Sequence, residues 1–146
     1  MRTATTAALL TGVALAVGVA PAFAAPSGGP TGSIELEAAS LRTADASTGP
    51  QYNSTVGFAT TVEGRISSQA RTYVTVICWQ GDNVVYQYSA APDFDFPLVD
   101  QAGQGLEWDG GAASCDASLI YRVEKGRSAE ITVLDAVLFD VGAATV

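Results

Sequence analysis

YVTVICWQGDNVVYQY, residues 73–88, places an apolar side chain at every second position on both sides of a short polar turn. The recurring apolar positions are Val74, Val76 and Cys78, followed by Val84, Tyr86 and Tyr88. A period of two is that of a β-strand with one buried face. The Gly-Asp-Asn triplet at residues 81–83 tolerates the positive φ angles of a tight hairpin. The stretch therefore predicts two antiparallel strands joined by a hairpin.

The same alternation continues on both sides of this hairpin. Its further apolar positions are Ile34 and Leu36, then Val56, Phe58 and Val62, and finally Leu119, Tyr121 and Val123. Turns rich in Gly, Pro and Asn separate these runs, and the spacing predicts an all-β fold, a sandwich of two antiparallel sheets with about seven strands. The run 131–141 loses its period after Val133, which predicts either a β-bulge or a strand buried on both faces.

The N-terminal residues predict an export signal. A basic residue, an apolar run over residues 7–20 and a small-x-small site at residues 22–24 follow one another in the order of a signal peptide. The run is shorter than the roughly 20 residues that span a bilayer, so a membrane anchor is the weaker interpretation. The chain then divides into a signal peptide (1–24), a flexible linker (25–32) and a single domain (33–146). We expect a secreted protein without a membrane anchor.

Acidic residues outnumber basic ones in this chain. It has 15 Asp and Glu residues against 7 Lys and Arg residues, which gives a formal charge of −8. Removal of residues 1–24 takes away Arg2 and no acidic residue, so the formal charge of the mature part is −9. Such a charge repels phosphate backbones, and we therefore expect no nucleic-acid partner.

Cys78 and Cys115 are the two cysteines of the chain. In an exported protein, a lone pair of cysteines predicts a disulfide bond. We expect this bond to hold the two layers of the sandwich together. A metal site is a weaker alternative because the chain has no His, and a redox pair would have closer spacing.

Two patches of sequence carry a resemblance. They are CWQGDNVVY at residues 78–86 and WDGGAASCDASL at residues 108–119. With the strand order, they make residues 55–141 similar to small exported immunoglobulin-like proteins of actinobacteria, most of which have no assigned function. The resemblance implies an immunoglobulin-like sandwich and brings no activity with it. Antibody-type domains place a Trp about a dozen residues after the first Cys. Here Trp79 adjoins Cys78, so the bridge should join other strands than the antibody pair.

Catalytic groups are scarce in the sequence. The chain has no His, and it therefore lacks the usual general base of nucleophilic catalysis and the imidazole ligands of metal sites. Glu107 and Asp109 flank Trp108, and such a carboxylate pair can perform glycoside chemistry when one member is desolvated. This is the weakest of the functional hypotheses. We expect a protein that is not an enzyme, with no catalytic residue, no metal site and no cofactor.

The Asp93-Phe94-Asp95-Phe96 segment, with a proline on either side, is a candidate interaction loop. Proline at both ends would lower the cost of ordering the loop when it inserts into a partner. Its two carboxylates, with Asp100 nearby, are also a candidate calcium site. The favoured interpretation of these residues is an edge strand with Asp side chains outward and Phe side chains packed inward.

Five aromatic residues form a candidate platform for a polysaccharide or a protein partner: Tyr73, Trp79, Tyr86, Tyr88 and Trp108. Within this set Trp79 and Trp108 are the candidate ligand-binding residues. The alternative is packing in the core, which is favoured for at least one of the two Trp side chains because large aromatic rings are mostly buried.

Together these observations favour a secreted, non-enzymatic binding domain whose partner is an extracellular protein or a glycan. The second hypothesis is a secreted inhibitor of an extracellular hydrolase, in which residues 92–97 enter the cleft of the enzyme.

Overall fold

The computed structural model describes residues 28–37 and 49–144, and within these ranges the protein is all-β. Two antiparallel sheets form a sandwich around one apolar core. The predicted signal peptide lies outside the described residues, as do the first three residues of the predicted linker. No α-helix occurs in the described ranges, so no helix there could cross a membrane.

Seven strands are described. In chain order they are β1 (Thr31–Glu37), β2 (Thr55–Glu63), β3 (Ala70–Gln80), β4 (Asn83–Ala90), β5 (Phe96–Pro97), β6 (Ala113–Lys125) and β7 (Ser128–Val141). One sheet has the spatial order β1-β2-β5 and the other the order β4-β3-β6-β7. The predicted hairpin joins β3 to β4. The predicted sandwich of about seven antiparallel strands is confirmed.

The core lies between the two sheets and is built from the side chains that alternate inward. The fully buried members from the four-stranded sheet include Val74, Val76, Tyr86 and Leu119, and those from the three-stranded sheet include Val56 and Phe96. Burial of one such side chain contributes about 1.5–3 kcal/mol. The period-two pattern of the sequence therefore marks the interactions that hold the sheets together.

Two β-bulges change which side chains face the core. In the β3–β4 ladder, β4 carries an extra residue, so Val85 is buried and Val84 is exposed. The expectation that Val84 faces inward is wrong, because a bulge exchanges the two faces of a strand. In the β6–β7 ladder the register shifts at Leu134, which confirms a bulge in residues 131–141. Burial on both faces does not occur there, since Leu138 is 78% exposed.

Cys78 and Cys115 form the predicted disulfide bond. They stand directly opposite each other on β3 and β6, with their Cα atoms 4.1 Å apart, and both side chains are buried. Because β3 and β6 belong to the same sheet, the bond does not join the two layers, and that expectation is wrong. Opposite residues of neighbouring antiparallel strands are close enough for a disulfide without any contribution from the second sheet.

β1 begins at Thr31, two residues before the start of the domain predicted from the sequence. Its second residue, Gly32, pairs with Val62 of β2. A Cβ atom at Gly32 would lie 2.7 Å from the carbonyl oxygen of Thr61 and 3.0 Å from the nearest atoms of two leucine side chains. The last two residues of the predicted linker therefore belong to β1. Gly32 is one of them, and its close packing leaves no room for a larger residue.

The two sheets meet along the side of the sandwich formed by β1 and β7. There the backbone N–H of Ile34 donates to Oδ2 of Asp135 at 3.0 Å. Leu134, which precedes this Asp at the bulge, packs against the core. The carboxylate satisfies a backbone donor that a neighbouring strand would otherwise satisfy. An inward-pointing charge and a bulge are two ways in which natural sheets protect an edge.

Candidate functional site

The other edge of the three-stranded sheet is formed by β5. β5 pairs with β2 only at Thr55 and Val56. Before β5 the chain runs through a turn, in which the N–H of Phe94 donates to the carbonyl oxygen of Ala91 at 3.0 Å. A groove of about 490 Å³ lies beside this turn and β2. It is lined by Glu37, residues 57–60 and residues 92–95, and we call it the β2 groove.

The predicted interaction loop, residues 93–96, forms one wall of the β2 groove and the start of β5. Phe96 is fully buried and pairs with Val56. Phe94 is 38% exposed and stacks on Tyr88, with ring centroids 5.5 Å apart and an interplanar angle of 17°. It also meets Phe96 edge to face at 5.3 Å. The structure therefore buries Phe96 and leaves Phe94 at the surface, where its ring packs against Tyr88 and Phe96.

Carboxylates dominate the charge of the β2 groove. Glu37, Asp93 and Asp95 line it, and none of the described residues that line it is a Lys or an Arg. The described residues contain no group of three or more His, Cys, Asp or Glu that could hold a metal ion. The candidate calcium ligands of the sequence therefore form no such group in the described part of the chain.

Trp79 lies on the outer face of the four-stranded sheet. It stands opposite Val84 on one side and Ser114 on the other, and it is half-buried. Its β3 neighbour Cys78 points into the core, so alternation turns Trp79 outward. Trp79 and the β2 groove thus belong to different sheets.

Trp108 lies in the core and is only 3% exposed. Its Nε1–H donates to the carbonyl oxygen of Gly111 at 2.8 Å. Its ring meets Tyr52 and Tyr86 edge to face, at centroid distances of 5.2 and 6.0 Å. Trp108 therefore packs inside the sandwich, as the sequence favoured for at least one Trp. The structure does not bring the two candidate ligand-binding Trp side chains into one site.

Asp109 organises the turn that leads into β6. Its Oδ1 accepts hydrogen bonds from Nε2 of Gln80 at 2.9 Å and from the N–H of Gly111 at 2.8 Å. These two bonds, with that from Gln80 the stronger influence, lower the pKa of Asp109. A glycosidase general acid requires a raised pKa. The acid role in the carboxylate-pair hypothesis would therefore fall to Glu107, which is exposed to solvent.

The sequence contained little sign that the described pairing between β2 and β5 is so short. Alternation at Val56 and Phe58 indicates which face of the strand is buried, but it does not indicate how many neighbours the strand has. The one available signal was Pro97, because proline lacks the N–H of a ladder and is confined largely to sheet edges. Comparison of the chain with protein-family models, with curated proteins and with solved structures finds no match.

Proposed function

We propose that this chain is a secreted, non-enzymatic binding domain with an immunoglobulin-like fold, and that it recognises an extracellular protein through the β2 groove. The groove is the observation that carries the proposal. It combines an exposed aromatic ring, the edge of a strand and three carboxylates at one place. Its volume of about 490 Å³ lies within the range of binding pockets.

The strand order supports an immunoglobulin-like topology. In immunoglobulin-type sandwiches, strands A, B and E share one sheet, and strands C, F and G share the other, with C′ beside C in some members. Here β1, β2 and β5 correspond to A, B and E, and β3, β6 and β7 correspond to C, F and G, with β4 at the place of C′. The disulfide then joins C to F instead of B to F, which agrees with the position of Trp79 next to Cys78.

Secretion is supported by the disulfide together with the order of features in residues 1–24. A disulfide bond persists in oxidising compartments and is rare where thiols are kept reduced. The absence of His from the chain and the lowered pKa of Asp109 support a role without catalysis.

The test compares Phe94→Ser with Val99→Ser in the mature chain. The two side chains are equally exposed, at 38% and 37%, but only Phe94 lines the β2 groove. Each variant and the unchanged protein are immobilised and offered the secreted proteins of the source organism, and separately a glycan array. We expect a protein ligand whose retention falls at least about tenfold with Phe94→Ser, because buried aromatic anchors dominate such interfaces.

Val99→Ser should retain the ligand as well as the unchanged protein does. Equal loss in both variants, retention of glycans only, or no binding by a folded protein would overturn the proposal.

For the inhibitor hypothesis, fewer residues of the loop are exposed than the sequence indicated. Within residues 92–97, Phe96 is buried and Pro97 stands opposite Thr55 in the sheet, which leaves residues 93–95 to enter a cleft. A panel of extracellular proteases and glycosidases assayed with micromolar protein tests this second function. Inhibition that is lost in Phe94→Ser would favour it over simple binding.

A further inference from the structure

We propose that the outer face of the four-stranded sheet binds the same face of a second copy of this chain, around a two-fold axis that runs across the strands. The outer face consists of the side chains that β3, β4, β6 and β7 turn away from the core. It belongs to a different sheet from the β2 groove, so the inference goes beyond the proposed function. Failure of either one leaves the other standing.

The outer face is more apolar than the solvent side of an antiparallel sheet usually is. Such a sheet commonly turns apolar side chains inward and polar ones outward. Four of the seven large apolar side chains that are exposed in the described part of the chain lie on this face: Val84, Ile131, Val133 and Leu138. Leu138, at 78%, is the most exposed of the seven. The partly buried Tyr73, Ile77 and Trp79 extend the apolar surface across β3. A patch of this kind marks an interaction surface.

The register of the ladders arranges the outer face in rows that cross the sheet. The middle row contains only small side chains: Ser89, Thr75, Ser118 and Ala136. The row on one side of it contains Ile77 and Leu138, and the row on the other side contains Tyr73 and Val133. A rotation by 180° about the middle row therefore places Leu138 of one copy opposite Val133 of the other. It likewise places Ile77 opposite Tyr73. Facing sheets with aligned strands are a common packing mode, and small residues at the axis let the two faces approach.

The two ends of the four-stranded sheet differ in charge. Four of the five described Lys and Arg residues lie at the end where β3 begins and β6 turns into β7: Arg71, Arg122, Lys125 and Arg127. The opposite end has no described Lys or Arg and contains Asp82, Asp116 and Asp140. Glu124 and Glu130 form ion pairs at the basic end. Four positive and two negative side chains leave that end positively charged in a chain that is acidic as a whole.

The same rotation brings unlike charges together. Trp79 of one copy then faces Arg71 of the other, and a guanidinium group over an indole ring is a favourable contact. Asp140 comes to lie one strand away from Arg122 of the other copy, within reach of that long side chain. The described hydrogen-bond partner of Asp140 is the neutral hydroxyl of Ser114, so its charge stays available. A two-fold axis along the strands would instead place acidic ends on acidic ends, and like charges oppose association.

The size of the outer face indicates a reversible dimer. Four strands about 4.8 Å apart and a length of about 30 Å along β3 give roughly 500 Å² per copy. About 1,000 Å² for both copies is the lower end for a specific interface. The formal charge of −9 on the mature chain also opposes association. We therefore expect a dissociation constant on the order of 10–100 μM.

Sedimentation equilibrium of the mature chain between about 5 μM and 1 mM tests the dimer. The average mass should rise from that of a monomer towards that of a dimer. Leu138→Asp should raise the dissociation constant at least about tenfold, because it places a charge against an apolar side chain of the second copy. The control is Ile66→Asp, which should dimerise normally. Ile66 is 54% exposed and lies outside the face, in the connection between β2 and β3. A chain that stays monomeric at the highest concentration, or equal weakening by both variants, would overturn the inference.

An exchange of charges tests the direction of the axis. Asp140→Arg and Arg122→Asp should each weaken the dimer at least about fivefold, because each places like charges against each other. The double variant restores unlike charges and should dimerise more tightly than either single variant. A double variant no tighter than the single ones would overturn the two-fold arrangement. A secreted protein that binds through Leu138 to a chain that remains monomeric would overturn self-association.

Discussion

The hydroxyl of Tyr86 lies in the core with no hydrogen-bond partner among the described residues. A buried polar group without a partner costs about 1–3 kcal/mol. We therefore expect Tyr86→Phe to raise the free energy of unfolding by about 1 kcal/mol at neutral pH, measured by urea denaturation. A loss of stability would show that the hydroxyl is satisfied in solution. Tyr88→Phe is the matched control, because Tyr88 is only partly buried and its ring stacks at the surface.

Tyr86 also gives the protein a sensitivity to alkaline pH. Burial, and to a lesser degree the neighbouring Tyr88, raise the pKa of Tyr86 well above its ordinary value of about 10. As the pH rises past about 10, the unfolded chain releases this proton and the folded chain keeps it, so stability must fall with pH. The unfolding free energy should decline less steeply above pH 10 in Tyr86→Phe than in the unchanged protein. Identical slopes would contradict the raised pKa.

Gly32 is a glycine whose replacement should be costly, because it lies in a tight packing contact of the three-stranded sheet. A Cβ at this position would meet the carbonyl oxygen of Thr61 at 2.7 Å, and a backbone atom cannot move aside cheaply. We expect Gly32→Ala to lower the free energy of unfolding by about 1–3 kcal/mol. Gly103→Ala is the control, because a Cβ there meets nothing within 4 Å. The free energy of unfolding of both variants is measured by thermal or urea denaturation. Equal stabilities would argue against the close contact at Gly32.

At the scale of the strands, a hydrogen bond to the carboxylate of Asp135 links β1 to β7. Asp135 accepts the N–H of Ile34, and its removal would leave that donor without a partner on the described side chains of β7. Asp135→Ala should lower the unfolding free energy by about 1–3 kcal/mol, whereas Asp135→Asn keeps an acceptor and should cost less.

Asp140→Ala is the control for this edge. It removes a carboxylate from the same strand, one that accepts a hydrogen bond from the exposed side chain of Ser114. An exposed bond of this kind contributes little. The urea midpoint should be highest for Asp140→Ala, lower for Asp135→Asn and lowest for Asp135→Ala. If all three variants are equally stable, β1 is held by other contacts.

At the scale of the whole molecule, the disulfide restricts the unfolded chain more than it ties the two sheets together. It closes a loop across a sequence separation of 37 residues. The loop-entropy model assigns about 3.8 kcal/mol to that closure. Cys78→Ser with Cys115→Ser should therefore lower the unfolding free energy by about 2–5 kcal/mol, measured with and without reductant. An unchanged transition in the double variant would show that the bond contributes nothing to stability.

The two sides of the three-stranded sheet differ in the described part of the chain. Asp135 and the bulge at Leu134 lie where β1 meets β7, whereas on the other side of β2 the described pairing with β5 covers only Thr55 and Val56. The location of the β2 groove therefore follows from the length of β5.

The sequence by itself determined the local features. Alternation at positions such as Val74 and Val76 predicted the strands, residues 81–83 predicted the hairpin, and the lone cysteine pair predicted the bond, because each is a property of neighbouring residues or of composition. The tertiary structure alone decided that the bond lies within one sheet, that Val85 and not Val84 faces the core, and that Trp108 is buried. These depend on which strand lies beside which, and on the register of each pair. The strand neighbours and the register are both set by residues far apart in the chain. The alternation within one strand does not indicate either of them.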